Sequence, residues 1–90
     1  MALFALGQVV ATPGALHALQ HAAQEPREFL DRHVHGDWGD ISEGDKRENE
    51  YAVQHGCRVL SAYTTRTGER IWVLTEADRS ATTFLLPAEY

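Results

Sequence analysis

The feature that most constrains this chain is a change of pattern at Gly56. Every helix-start signal lies before it, and every run rich in β-branched and aromatic residues but one lies after it. Thr12-Pro13-Gly14 is the first start signal: Thr12 can cap, and Pro13 at the first helical position loses no hydrogen bond. The following helix is expected to bury Leu16, Leu19 and Ala23, with His17 and His21 on a neighbouring, solvated face. Pro26 opens a second short helix in which Phe29, Leu30 and His33 share a side. Gly36 and Gly39 then bracket Trp38 and break the helix into a loop. Ser42-Glu43-Gly44-Asp45 reads as a capping box, and the third helix runs to about His55 with Gly56 as its stop. Asn49, Ala52 and Val53 form its inward face.

Beyond Gly56, the runs Cys57–Thr64, Arg70–Thr75 and Thr82–Leu86 read as strands. Thr65–Glu69 is a hairpin loop, and Glu76–Ser80 a polar turn. Leu3 to Ala11, apolar and ending in β-branched residues, reads as a short strand before the helices. The expected architecture is α+β: an N-terminal strand, three helices and a three-stranded antiparallel meander, with the helices on one sheet face. Ninety residues suit a single domain spanning 1–90.

Composition narrows the functional classes. The net charge of −5 argues against general affinity for nucleic-acid phosphates, leaving a local basic patch as the route for such binding. One cysteine supplies neither an internal disulfide nor a cysteine-rich zinc site. Cys57 is expected to be a small buried residue. Met1-Ala2-Leu3-Phe4 lacks the basic start of a secretory leader, and no run approaches a membrane span, so a cytoplasmic location without membrane contact is expected.

The densest chemistry lies in Arg32-His33-Val34-His35-Gly36-Asp37-Trp38-Gly39-Asp40. In extended backbone, His33, His35 and Asp37 would point the same way, as alternating metal ligands do. The pattern stops at Trp38, however, where a metallo-β-lactamase-like motif would continue to a further histidine. The structural alternative has Asp37 accepting backbone N–H bonds inside a turn while Trp38 plugs the core, and no metal or cofactor is expected. His33 or His35 could act as general acid or base, because imidazole titrates near neutral pH. Arg58, Arg70 or Arg79 could hold a phosphate, and Tyr63, Thr82 and Thr83 could donate hydroxyls. A small metal-independent ribonuclease needs little more, because RNA supplies its own 2′-OH nucleophile. As catalytic candidates these considerations leave His33, His35, Asp37 and Arg79.

A binding surface would draw on Trp38, Asp37, Asn49, Trp72 and Arg79, since Trp and Arg dominate hot spots. Arg79 could alternatively pair with Asp78, Glu76 or Asp37 to pin loops. Trp72 and Leu74 share one face of the middle strand, which would also serve a homodimer. Tyr90 either folds back or offers a tail.

Several stretches together resemble a family of small proteins from bacterial plasmids and other mobile elements, labelled "plasmid-related protein". They are Leu6–Ala15, Arg32-His33, Gly36–Asp40, Asn49, Arg58–Tyr63, Trp72, Thr75–Arg79, Thr82-Thr83 and Leu85–Tyr90. The resemblance covers nearly the whole chain and implies a mobile-element origin, with no activity or catalytic residue to carry over. Some members are labelled as a type I restriction–modification methylase subunit. This chain has neither the glycine-rich cofactor loop nor the Asn-Pro-Pro-aromatic motif such an enzyme requires. The expectation is a non-enzymatic module that engages a protein partner in plasmid maintenance or in host defence such as restriction or CRISPR. The ribonuclease or toxin-like nuclease is the alternative.

Overall fold

A computed structural model describes residues 1–90. The elements are β1 (Gln8–Ala11), α1 (Pro13–Ala22), α2 (Pro26–Val34), α3 (Glu43–His55), β2 (Val59–Thr64), β3 (Arg70–Thr75) and β4 (Ala81–Leu85). A single 3₁₀ turn, Pro87–Glu89, closes the chain. No helix is long and apolar enough to cross a membrane.

The α+β class and the order of elements follow the sequence. The sheet does not: it has four strands and is mixed, in the order β1-β4-β3-β2. The expected antiparallel meander is present, with Tyr63 opposite Ile71 and Val73 opposite Phe84. β1 adds to it in parallel along β4, with Val9 opposite Thr82. Parallel neighbours need a long crossover, and here it comprises everything between Thr12 and Ser80, so no local turn announces the pairing.

Thr12 and Ser42 cap their helices as read, but Ser42 makes only one half of the expected capping box. The Thr12 hydroxyl accepts from the Ala15 N–H at 3.2 Å, and that of Ser42 from the Asp45 N–H at 3.1 Å. Gly56 ends α3 in the left-handed region at φ +69°. The inward face of α1 is rotated from expectation. Ala15, Ala18, Leu19 and Ala22 are buried, while Leu16 is exposed and Ala23 forms a left-handed cap. Small residues line this face because α1 must sit close to β4. Together with Phe29 of α2 they cover Tyr63, Ile71, Val73 and Phe84, forming the main core. A smaller core joins Trp38, Ala52 and Val59, with Phe4, Ile41 and Val53 at its margin.

The outer edge of β2 is closed by side chain and loop. The Asn49 carboxamide donates to the Leu60 carbonyl at 2.8 Å and accepts from its N–H at 3.1 Å, as a neighbouring strand would. One step further, Ala62 donates to the Trp38 carbonyl and accepts from the Asp40 N–H. Gly39 permits this approach: at φ +76°, a Cβ there would lie 2.0 Å from the Ala62 carbonyl oxygen. α3 thus runs beside β2, with Ala52 on the helix-covered side of the sheet and Asp45 and Glu48 rimming the other.

Asn49→Ala would strand both backbone groups of Leu60, and each such loss costs about 1–3 kcal/mol. Urea denaturation is expected to give a loss of about 2 kcal/mol or more, whereas under about 1 kcal/mol would mean that solvent replaces the carboxamide freely.

Candidate functional site

The residues singled out for chemistry divide between the interior and two separate surfaces. His33 is fully buried. Its Nδ1 lies 2.6 Å from the Ser61 hydroxyl and its Nε2 3.0 Å from that of Thr75. Thr75 continues to Thr82 at 2.7 Å, and the Thr82 hydroxyl donates to the Leu6 carbonyl at 2.7 Å.

The last bond orients the chain, because a carbonyl only accepts. Thr82 therefore accepts from Thr75, and Thr75 accepts from the Nε2–H of His33. Nδ1 is left as the acceptor for the Ser61 hydroxyl. This is a neutral imidazole in one tautomer, linking α2 to β2, β3, β4 and the N-terminal segment. Burial, reinforced by the nearby Arg79 charge, lowers the His33 pKa to about 4. A proton gained here would reverse the bond with Ser61 and lack solvation.

Aromatic rings seal the imidazole. Phe4 meets it edge-on at 5.1 Å, Trp38 lies at 6.0 Å, and Phe4 stacks on Trp38 at 6.3 Å. The Arg79 guanidinium covers the outer side of Phe4 at 5.4 Å. Three nominated residues, His33, Trp38 and Arg79, are therefore brought together around Phe4, a residue the sequence analysis did not nominate.

Their geometry corrects several expectations. Trp38 is 4% exposed, so it is a core plug and not a surface anchor. Arg79 makes no carboxylate pair. It donates instead to the carbonyls of Cys57 at 2.6 Å, Ala52 at 3.0 Å and Glu76 at 3.1 Å. Two of these lie at the C-terminal end of α3, where exposed carbonyls and the helix dipole favour a cation. Asn49 is buried against the Leu60 backbone and is likewise no free anchor. Cys57, expected to be buried, is exposed.

Asp37 follows the structural reading of the loop. Its carboxylate accepts from Arg32 Nε at 2.7 Å and from the Gly39 N–H at 3.3 Å. The Arg32 bond holds its pKa below the usual carboxylate value. Its carbonyl accepts from the Tyr63 hydroxyl at 2.7 Å, while burial pushes the Tyr63 pKa up to about 12. His35 faces solvent and bonds only the Asp31 carbonyl, at 2.6 Å. His33, His35 and Asp37 do not converge, and no three His, Cys, Asp or Glu side chains form a metal-binding group. His17 and His21 are exposed on α1, as expected.

Trp72 lies across the sheet from this cluster, on the face without helices. The C-terminal turn leans over it: the Tyr90 ring meets the Trp72 ring edge-on at 5.6 Å, and the Tyr90 hydroxyl accepts from Arg58 at 2.9 Å. Glu89 fixes this turn to the start of α1, accepting from the Thr12 hydroxyl at 2.5 Å and the Gly14 N–H at 3.2 Å. Two shallow hollows, of about 400 and 230 Å³, share Ile41, Asp45 and Leu60 and form one groove. Leu60, Trp72 and Leu74 make its floor, Asp45 and Glu48 of α3 its acidic wall, and Arg70 and Arg58 stand at its ends.

No protein-family model, curated protein or solved structure matches the chain.

The neutral buried imidazole has a stability consequence with a definite sign. His33 titrates near 6.5 when unfolded and near 4 when folded, so between these values the unfolded chain binds more protons. The contribution of His33 is therefore complete above pH ~6.5 and is lost as pH drops toward ~4, by about 3 kcal/mol in all. Urea melts taken across that window test this, and a flat profile would contradict the buried neutral state.

Proposed function

We propose that this chain is a small non-enzymatic binding module that docks a protein partner in the groove beside Trp72. A single observation carries the reading: the residues with the most chemical potential are committed to holding the fold, while Trp72, Asp45 and Glu48 are left lining an open groove. His33 has no solvent access, Arg79 is occupied by three carbonyls, and Asp37 is occupied by Arg32 and the turn. Trp72, by contrast, is half-buried at the floor of an open depression and is backed by Leu60 and Leu74.

The groove also suggests the chemistry of its partner. Between residues 40 and 50 the chain carries Asp40, Glu43, Asp45, Glu48 and Glu50 against Lys46 and Arg47. A partner segment that places an apolar side chain over Trp72 and a basic one beside Asp45 and Glu48 fits both features. Buried aromatic anchors supply most of such binding energy, and charge complementarity mainly guides approach and selection. The resemblance to plasmid-borne proteins supports a role as a mobile-element accessory, acting on plasmid maintenance or host defence.

The test is affinity capture from a bacterial lysate with tagged wild-type protein, Trp72→Ala, Asp45→Lys and His35→Ala, each first checked for native circular dichroism. A stoichiometric protein partner is expected with wild type and His35→Ala and is lost with both groove variants. Retention by both groove variants would overturn the groove. RNA shortened by wild type but not by His35→Ala would replace the module with a nuclease.

A further inference from the structure

We infer that the chain forms a two-fold symmetric dimer by antiparallel pairing of β1 with β1 of a second copy, making one continuous eight-stranded sheet. The two sheet edges are treated differently. The β2 edge is closed by Asn49 and by the Trp38–Asp40 loop. The β1 edge, Gln8-Val9-Val10-Ala11, is exposed along its whole length. Its inner side is fully used: Gln8 donates to the Ser80 carbonyl and Thr12 to that of Phe84. Strand alternation then turns the N–H and C=O groups of Val9 and Ala11 outward. Proteins usually blunt such an edge with a charge, a proline or a bulge; this strand has none.

Charge distribution points to a second copy as the occupant. Residues 1–24 contain no Asp, Glu, Lys or Arg, so all eight basic and thirteen acidic side chains lie beyond them. The chain as a whole is at −5 and repels its copies, yet the β1–α1 unit is free of charged side chains. Of the large exposed apolar side chains, Val9, Val10 and Leu16 fall within it, Met1 and Leu3 precede it, and Tyr51 and Tyr90 lie elsewhere. A strand from an unrelated partner could use the same hydrogen bonds, but the neutral, apolar edge is complementary to itself without further requirement.

The register follows from the backbone. Gly7, at φ +65°, takes the chain out of extended conformation before Gln8, and Pro13 has no N–H to offer after Thr12. Only Val9 opposite Ala11 of the second copy uses all the outward groups, giving four hydrogen bonds. The two-fold axis then passes between the two Val10 residues. Being perpendicular to the sheet, it puts the helices of both copies on one side and both Trp72 grooves on the other. The dimer does not depend on the groove being a binding site, though it would make any groove binding bivalent.

Sedimentation equilibrium of the purified full chain, diluted from about 1 mM, tests the association. Wild type is expected at twice its 10.1 kDa monomer mass. Val10→Lys faces lysine with lysine across the axis and is expected to halve that mass while keeping native circular dichroism. An equal mixture of Val10→Lys and Val10→Asp is expected to recover the dimer, a result that neither a structural defect nor a contact elsewhere would give. If Val10→Lys fails to fold, Val10→Cys in a Cys57→Ser background decides, because opposed residues at this kind of pair lie close enough for a disulfide. Mild oxidation is then expected to give one cross-linked dimer. A monomeric wild type, a dimer that persists in Val10→Lys, or no cross-link would overturn the proposal.

Discussion

The buried chain of hydrogen bonds from Ser61 through His33, Thr75 and Thr82 to the Leu6 carbonyl is the interaction on which the rest of the structure depends. A core this small has few apolar contacts to fix how its layers sit. This polar chain does so by direction, because each of its bonds has a fixed donor and acceptor, set by the Leu6 carbonyl at its end. It holds α2 against three strands and draws in the segment that places Phe4 over the imidazole. No buried side-chain polar atom is left without a partner, so the network stabilises the fold instead of straining it.

The second core is organised from this pin outward. Phe4 and Trp38 close around His33, Arg79 closes over Phe4, and the same guanidinium caps the carbonyl end of α3. Once capped, α3 presents Asn49 to the β2 edge and Asp45 and Glu48 to the open face. The groove beside Trp72 is therefore a consequence of where the buried residues place α3. The sheet separates two environments: the polar network is enclosed on the helix side, and the open groove lies on the other.

Much of this was legible in the sequence where local physics governs. The caps at Thr12 and Ser42, the stop at Gly56, the two hairpins and the loop around Asp37 all depend on near neighbours in the chain. The parallel place of β1 was not legible, because its partner lies some seventy residues away and no turn connects them. The site was misread for a related reason. A sequence displays that His33, Trp38 and Arg79 are chemically capable, but not that each is matched by a buried partner. One signal was available: Ser61, Thr75 and Thr82 occupy the same strand phase as Val59, Val73 and Phe84. A polar residue in a core phase of three consecutive strands calls for a buried polar partner, and His33 on the inward face of α2 is the only imidazole placed to supply it.

The state of that imidazole decides whether the network exists, and side-chain ¹⁵N–¹H correlation spectra at neutral pH would report it. His33 is expected as a neutral ring protonated on Nε2 alone, with a slowly exchanging proton and no titration above pH ~5. A ring protonated on Nδ1, or one titrating freely near its unperturbed value of ~6.5, would contradict the network and return His33 to the list of groups available for chemistry.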